Sequence, residues 1–226
     1  MRVLLINQYF PPDAAATAYL VGELAEDLGR GHSVEVVAGR PSYNPEASAF
    51  SPRGVRVRRA WSTTFARGGI GGRLTNYATF VASSIVEGVR GSAPDVVVGF
   101  TDPPVIGLVA LTVARRFRKP FVYVCEDIFP DVGLALGRLD NPLVVGALRR
   151  LNHRLRRDAT RIVAIGRDMQ EKLVREGKAK FIDWDVAKEQ IRRAIFMTSP
   201  DPRSSHMQFS LCGLLRAPAQ EQRAQE

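Results

Sequence analysis

The chain of 226 residues is 45% hydrophobic and 24% charged, with 32 Lys and Arg against 23 Asp and Glu for a formal net charge of +9. These proportions exclude a disordered chain, and the length supports one or two cores that need no staple. Two cysteines, Cys125 and Cys212, stand in no CxxC or Cys/His cluster, which excludes a disulfide framework and a readable zinc site and makes a reducing compartment the default.

Taken in chain order, residues 3–6 read as a strand whose apolar run is too short for a signal peptide. A proline-rich turn follows, then a helix over 14–28 and strands over 34–38 and 55–57. A glycine-rich stretch at 67–73 leads into a helix over 73–89, a strand over 96–100 and a helix over 105–117. The longest apolar run, 105–114, is about half a bilayer span. A strand over 121–125, a helix over 142–157, a strand over 162–165 and a helix over 168–176 complete the pattern. The strands lack strict polar alternation, so both of their faces are buried, as in a parallel sheet covered by helices. The fold class is therefore α/β, a Rossmann-like parallel sheet with helices on both faces.

Residues 1–177 form this domain, and 178–226 read as a divergent tail. Within it, 178–184 suits a further strand, 185–196 a helix, 198–205 a linker, and the polar end is frayed. The expected location is the cytoplasm, at most peripheral on the inner membrane face.

The positive charge is concentrated. Residues 51–120 hold 11 basic and 3 acidic side chains, net +8, whereas residues 1–50 hold 3 and 6, net −3. Such a block suits an anionic partner, whether nucleic acid, a phosphate-bearing substrate or a membrane surface. An arginine share of 27 among the 32 basic residues also fits compositional bias.

Ligands of such sheets bind beyond the carboxyl ends of the strands, so the turns there are where chemistry is sought. The first turn has no GxGxxG; its two prolines and two aromatics argue against close approach of a dinucleotide pyrophosphate. Tyr9, Asp13 and Thr17 suit a sugar or anion contact at a helix start, and Asp13 equally suits a helix N-cap.

The runs QYFPP at 8–12, LAEDL at 24–28, RGHSVEVV at 30–37, RPSY at 40–43, GGIGGRLTNY at 68–77, TDPP at 101–104, EDIFPD at 126–131 and AIGRDM at 164–169 carry a resemblance. In this order and spacing they resemble the amino-terminal domain of GT-B glycosyltransferases of the family-4 type, most closely the WbuB-like enzymes of O-antigen and capsule assembly. The resemblance implies retaining, metal-independent sugar transfer from a nucleotide-sugar donor. It also implies that this domain holds the acceptor, a polyprenyl-diphosphate-linked sugar. No cofactor is implied. The E-x7-E glutamate pair of the family's donor-binding domain has no counterpart in this chain, so the donor domain is expected to be missing.

Within the matched runs, Gly69, Gly71 and Arg73 suit an acceptor diphosphate or membrane contact, through backbone amides and charge; a surface loop explains the glycines equally. Asn76 and Asp102 are the matched substrate-side positions. Glu126 and Asp127 follow a strand directly, where carboxylates accept a proton from a hydroxyl or stabilise an oxocarbenium-like centre. Many relatives have His-Asp there, so Asp127 is the better catalytic candidate; capping or pairing with arginines is the alternative. Arg149, Arg150, Arg154 and Arg157 flank an apolar stripe of Leu143, Val144, Ala147, Leu148, Leu151 and Leu155. That helix suits an anionic lipid surface or the solvated side of a core helix. No zinc finger, helix-turn-helix or aromatic-studded basic strand accompanies the arginines, which argues against nucleic acid.

Two readings result. One is an acceptor-side glycosyltransferase domain, inactive alone. The other is a catalytically silent remnant, or half of a split enzyme whose donor domain is a separate polypeptide.

Overall fold

The computed structural model describes residues 1–41, 50–63, 70–137, 139–175 and 181–183. The expected glycine candidate Gly69, the helix over 185–196 and the linker beyond it lie outside these residues. The elements are β1 (Arg2–Ile6), α1 (Ala16–Gly29), β2 (Ser33–Gly39), β3 (Val55–Ala60), α2 (Ile70–Arg90), β4 (Val96–Gly99), α3 (Ile106–Phe117), β5 (Phe121–Cys125), α4 (Asp131–Ala135), α5 (Pro142–Asp158), β6 (Arg161–Ala164), α6 (Arg167–Arg175) and β7 (Phe181–Asp183).

The strands form one seven-stranded sheet in the order β3-β2-β1-β4-β5-β6-β7. Every neighbouring pair is parallel. Parallel pairing requires a crossover between strands, which the helices supply. Strand order reverses between β1 and β4, and the turns that leave these strands flank the crevice where such sheets take ligands.

Alternation along each strand sends side chains to two separate cores. In β1, Val3 and Leu5 join Val34, Val36, Val96 and Val98 under α1, whose Val21, Ala25 and Leu28 face inward. Leu4 and Ile6 join Val97, Phe121 and Tyr123 on the opposite face, under Phe80 of α2, Val109, Ala110 and Val113 of α3, Leu155 of α5 and Leu173 of α6. Both faces are thus apolar, and the strands read as continuous hydrophobic runs for that reason.

Close approach of α3 to the sheet depends on two glycines. A Cβ on Gly99 would meet the Ala110 Cβ at 2.4 Å, and one on Gly107 would meet Leu155 Cδ1 at 2.8 Å and Tyr123 Cε2 at 2.9 Å.

Two expectations need correction. α1 begins at Ala16, its N-cap is Ala15, and no side chain caps it, so Asp13 is not an N-cap. Residues 70–73, including Gly71 and Arg73, start α2 instead of belonging to a loop. Ile70, Leu74, Tyr77 and Val81 continue the helical apolar spacing of three and four residues upstream, and glycine costs a helix only about 1 kcal/mol. β7, at 181–183, pairs with β6 within the stretch read as a further strand.

The basic block at 51–120 is largely engaged within the fold. On β3, Arg56 and Arg58 meet Glu35 of the adjacent β2 at 3.5 and 3.0 Å, and Arg58 also reaches Glu87 of α2. Arg90 pairs with Glu87, Arg115 with Asp158 and Lys119 with Asp95.

Candidate active site

Backbone hydrogen bonds join the carboxyl ends of the central strands into one rim. The Gly39 N–H at the end of β2 donates to the Gln8 carbonyl at 2.9 Å, and the Gln8 N–H donates to the Asp102 carbonyl at 3.3 Å. Thr101, buried in the turn after β4, extends the rim: its Oγ1 accepts from the backbone N–H of Glu126 at 3.0 Å and of Asp127 at 3.3 Å. Farther along, the Tyr123 hydroxyl donates to Asn152 Oδ1 at 3.1 Å. The Asn152 Nδ2 donates to the carbonyls of Phe129 and Leu148, each at 3.1 Å. The segment after β5 is thereby tied to both the β4 turn and α5.

This rim brings Asp102, Glu126 and Asp127 together. Burial, reinforced by the charges of Asp102 and Asp127, pushes the Glu126 carboxyl up to about 8. Burial and then Asp127 push Asp102 up to about 6. Glu126 is therefore protonated near neutral pH and can donate a hydrogen bond. Asp127 is exposed at the rim and open to a ligand. Neighbouring carboxylates held in different protonation states make an acid and base assignment chemically meaningful. Among the described residues, no group of three or more His, Cys, Asp or Glu is arranged to hold a metal ion.

The proline-rich turn beside this cluster is held by Arg59 of β3. Its guanidinium donates to the carbonyls of Gly39 at 2.9 Å, Phe10 at 3.5 Å and Pro11, and lies 5.8 Å from the Phe10 ring centroid. Burial lowers its pKa, and Asp13 offsets part of that shift. Asp13 is fully buried, and its charge acts on Arg59. Tyr9 and Thr17 are half-buried on either side of it.

The remaining candidates separate. Asn76 accepts a hydrogen bond from Thr63 Oγ1 at 2.8 Å, tying α2 to the segment after β3. Gly71 and Arg73 lie in the first turns of α2. On α5, Arg154 and Arg157 both pair with Asp158, at 3.7 and 3.1 Å, while Arg149 and Arg150 are exposed. The apolar stripe on that helix divides: Leu155 is fully buried and Leu151 packs on the core, but Leu143 is 82% exposed. Asp131 pairs with Lys172 at 2.6 Å.

A family model described as a glycosyl transferase 4-like domain matches residues 14–182. The chain belongs to this family. Its fold is similar to that of HepE from Anabaena, solved in complex with UDP and glucose, at 16% identity and a TM-score of 0.53 over 81% of this chain and 43% of that one. It is also similar to sucrose-phosphate synthase from Thermosynechococcus elongatus, at 10% identity and a TM-score of 0.56 over 81% of this chain and 47% of that one. This glycosyl transferase 4-like chain thus spans less than half the length of either solved chain. No curated protein matches it. The family and the sheet agree on the fold expected from the sequence, the Rossmann-like domain of GT-B glycosyltransferases. Among the described residues of this family member, no helix is long and apolar enough to cross a membrane.

Three residues that shape the rim of this transferase-family domain were not legible beforehand. Thr101 and Arg59 lay inside runs already noted, TDPP and the basic block, but their roles depend on elements distant in sequence. Asn152 carried a local signal, a polar residue on the inner face of an arginine-rich helix.

Proposed function

We propose that this chain is the acceptor-side half of a retaining, metal-independent glycosyltransferase, WbuB-like in subtype. It serves surface-polysaccharide synthesis at the cytoplasmic membrane face. The donor is a nucleotide sugar, in keeping with the UDP and glucose bound to HepE, and the acceptor is a polyprenyl-diphosphate-linked saccharide.

The observation that carries this reading is the carboxylate cluster on the strand-end rim, with Thr101 holding the backbone of both Glu126 and Asp127. In the proposed step the acceptor oxygen bonds to the anomeric carbon while the bond from that carbon to the nucleotide diphosphate breaks. The hydroxyl proton passes to Asp127 or to the departing diphosphate. Glu126, protonated near pH 7, donates a hydrogen bond to the acceptor and orients it. Tyr9 and Thr17 contact the sugar, and Asp102 shapes the site.

Donor binding is assigned to a second half, consistent with the 43% of HepE that this chain spans. The test is complementation. Purified chain, a radiolabelled nucleotide sugar and a polyprenyl-diphosphate saccharide are mixed with and without a separately expressed donor domain. Transfer only in the complemented mixture, lost in Asp127→Asn, supports the reading. Acceptor binding without complemented transfer assigns the chain as a silent remnant.

A further inference from the structure

A second feature lies just past the carboxylates, where the segment Ile128, Phe129, Pro130 and Asp131 faces α5 across a cavity of about 370 Å³. That volume falls within the roughly 300–1,000 Å³ range of ligand sites. The α5 side is lined by Arg149, Asn152, His153 and Arg156. Their spacing of three, four and seven residues places them on one helix face. The charge of this wall is positive, and the one carboxylate in the lining, Asp131, is already engaged by Lys172 at 2.6 Å. Arg154 and Arg157, off this face, are drawn instead to Asp158.

The cavity has a rigid base. Tyr123, 1% exposed, and Asn152, 7% exposed, are bonded to one another, and Asn152 binds the Phe129 carbonyl across the gap. The strand, the segment after it and α5 are thus held in one arrangement before any ligand arrives. Asn152 is consumed by this clamp, and Arg149 and His153 are the exposed polar groups on the α5 side of the cavity.

We propose that this cavity binds a phosphate or diphosphate group, with Arg149 and His153 as ligands and Arg156 supplying charge from the deeper side. Guanidinium groups recognise phosphate oxygens through paired N–H donors. The proposal deepens the acceptor reading above: it rests on that reading only for what carries the anion, and the pocket itself stands on its own residues. The carrier is expected to be a lipid. Leu134, Leu136, Leu143 and Val144, in α4, in α5 and in the link between them, are exposed at 38%, 61%, 82% and 43%. They provide apolar surface in the same stretch of chain as the cavity.

The test uses the whole chain without donor, saccharide or transfer assay, so failure of the catalytic reading and failure of the pocket are distinguishable. Inorganic pyrophosphate is titrated calorimetrically at low ionic strength into wild type, Arg149→Gln, His153→Gln and, as a charge-matched control, Arg90→Gln. Binding that weakens at least about tenfold in the first two variants and is unchanged in the control is expected, since one charged hydrogen-bonded contact is commonly worth that much. No binding by wild type, or equal loss in Arg90→Gln, overturns the proposal. All three side chains are solvent-facing or partnered only locally, and circular dichroism confirms that each variant is folded. Flotation with phosphatidylcholine vesicles, with and without polyprenyl diphosphate, distinguishes the sources. Capture only by the diphosphate-bearing vesicles, lost in Arg149→Gln, assigns the lipid headgroup; pyrophosphate binding without capture assigns a free anion and overturns the lipid carrier.

Discussion

The Tyr123 hydroxyl on β5 donates to Asn152 Oδ1 on α5 at 3.1 Å, both residues being buried. Asn152 then donates to the Phe129 carbonyl. Buried polar groups of this kind are costly when half satisfied. Tyr123→Phe leaves the Asn152 oxygen without its donor and is expected to lower stability by about 1–3 kcal/mol. Asn152→Ala is expected to cost at least as much, because it also strips the Phe129 carbonyl. Urea denaturation measures both; values within experimental error of wild type would show that the clamp contributes nothing.

Glu126 confers a pH dependence of definite sign. Its folded pKa, about 8, is above the ordinary 4.5. Between those values the folded state holds a proton that the unfolded state has released, so stability declines as pH rises from about 4.5 through 8. Asp102, at about 6 against 3.8, adds a decline over the lower part of that window. Glu126→Gln removes the larger contribution and should exceed wild type in stability at pH 9 by on the order of 2 kcal/mol, a figure discounted for partial solvent access. Thermal melts from pH 5 to 9 test this; parallel curves for the two proteins would refute the assigned shift.

Arg118 ends α3 in the left-handed conformation, at φ 54° and ψ 44°. A side chain there costs about 1 kcal/mol or more relative to glycine. Arg118→Gly should therefore stabilise the domain by about 0.5–1 kcal/mol, despite the greater flexibility glycine brings to the unfolded chain. A lower denaturation midpoint in the variant would show that the arginine side chain contributes more than its backbone strain costs.

Substitution at the contact between α3 and the sheet acts in the opposite direction. Gly99→Ala places a methyl group 2.4 Å from the Ala110 Cβ, too close for both to remain in place. Overpacking of this type costs about 1–3 kcal/mol. The paired variant Gly99→Ala, Ala110→Gly restores the space and should recover part of the loss, less the helix cost of glycine. Failure of the pair to recover any stability would locate the damage in the strand and not in the contact.

The strands and most helices were legible because their signals are local. The apolar runs of β1, β4 and β5 are buried on both faces, and their sequence shows no polar interruption. The start of α2 was placed late because its glycines read as a loop, whereas the apolar spacing continues back to Ile70. The N-cap alternative for Asp13 failed for a related reason: an acidic residue before a small-residue helix has the pattern of an N-cap, but here the backbone enters the helix two residues later.

The charge excess shows where local reading stops. The block at 51–120 pointed to an anionic partner, yet Arg56, Arg58, Arg90, Arg115 and Lys119 are paired with carboxylates, and Arg59 is spent on backbone carbonyls. Composition counts charges but cannot say which are neutralised by neighbours in the fold. The basic wall that remains beside the strand ends belongs to α5, outside that block.

Sequence alone determined the layer architecture, the element order and the strand ends at which chemistry could sit, since hydrophobic period and turn residues act within a few positions of one another. Only the tertiary structure decided that Thr101 holds the Glu126 and Asp127 backbone, that burial and then the charge of Asp102 raise the Glu126 pKa, and that Arg149 and His153 share a cavity with the segment after β5. Each of these joins residues well separated in sequence. Desolvation and hydrogen bonding depend on distance in space, and the parallel crossovers set that distance.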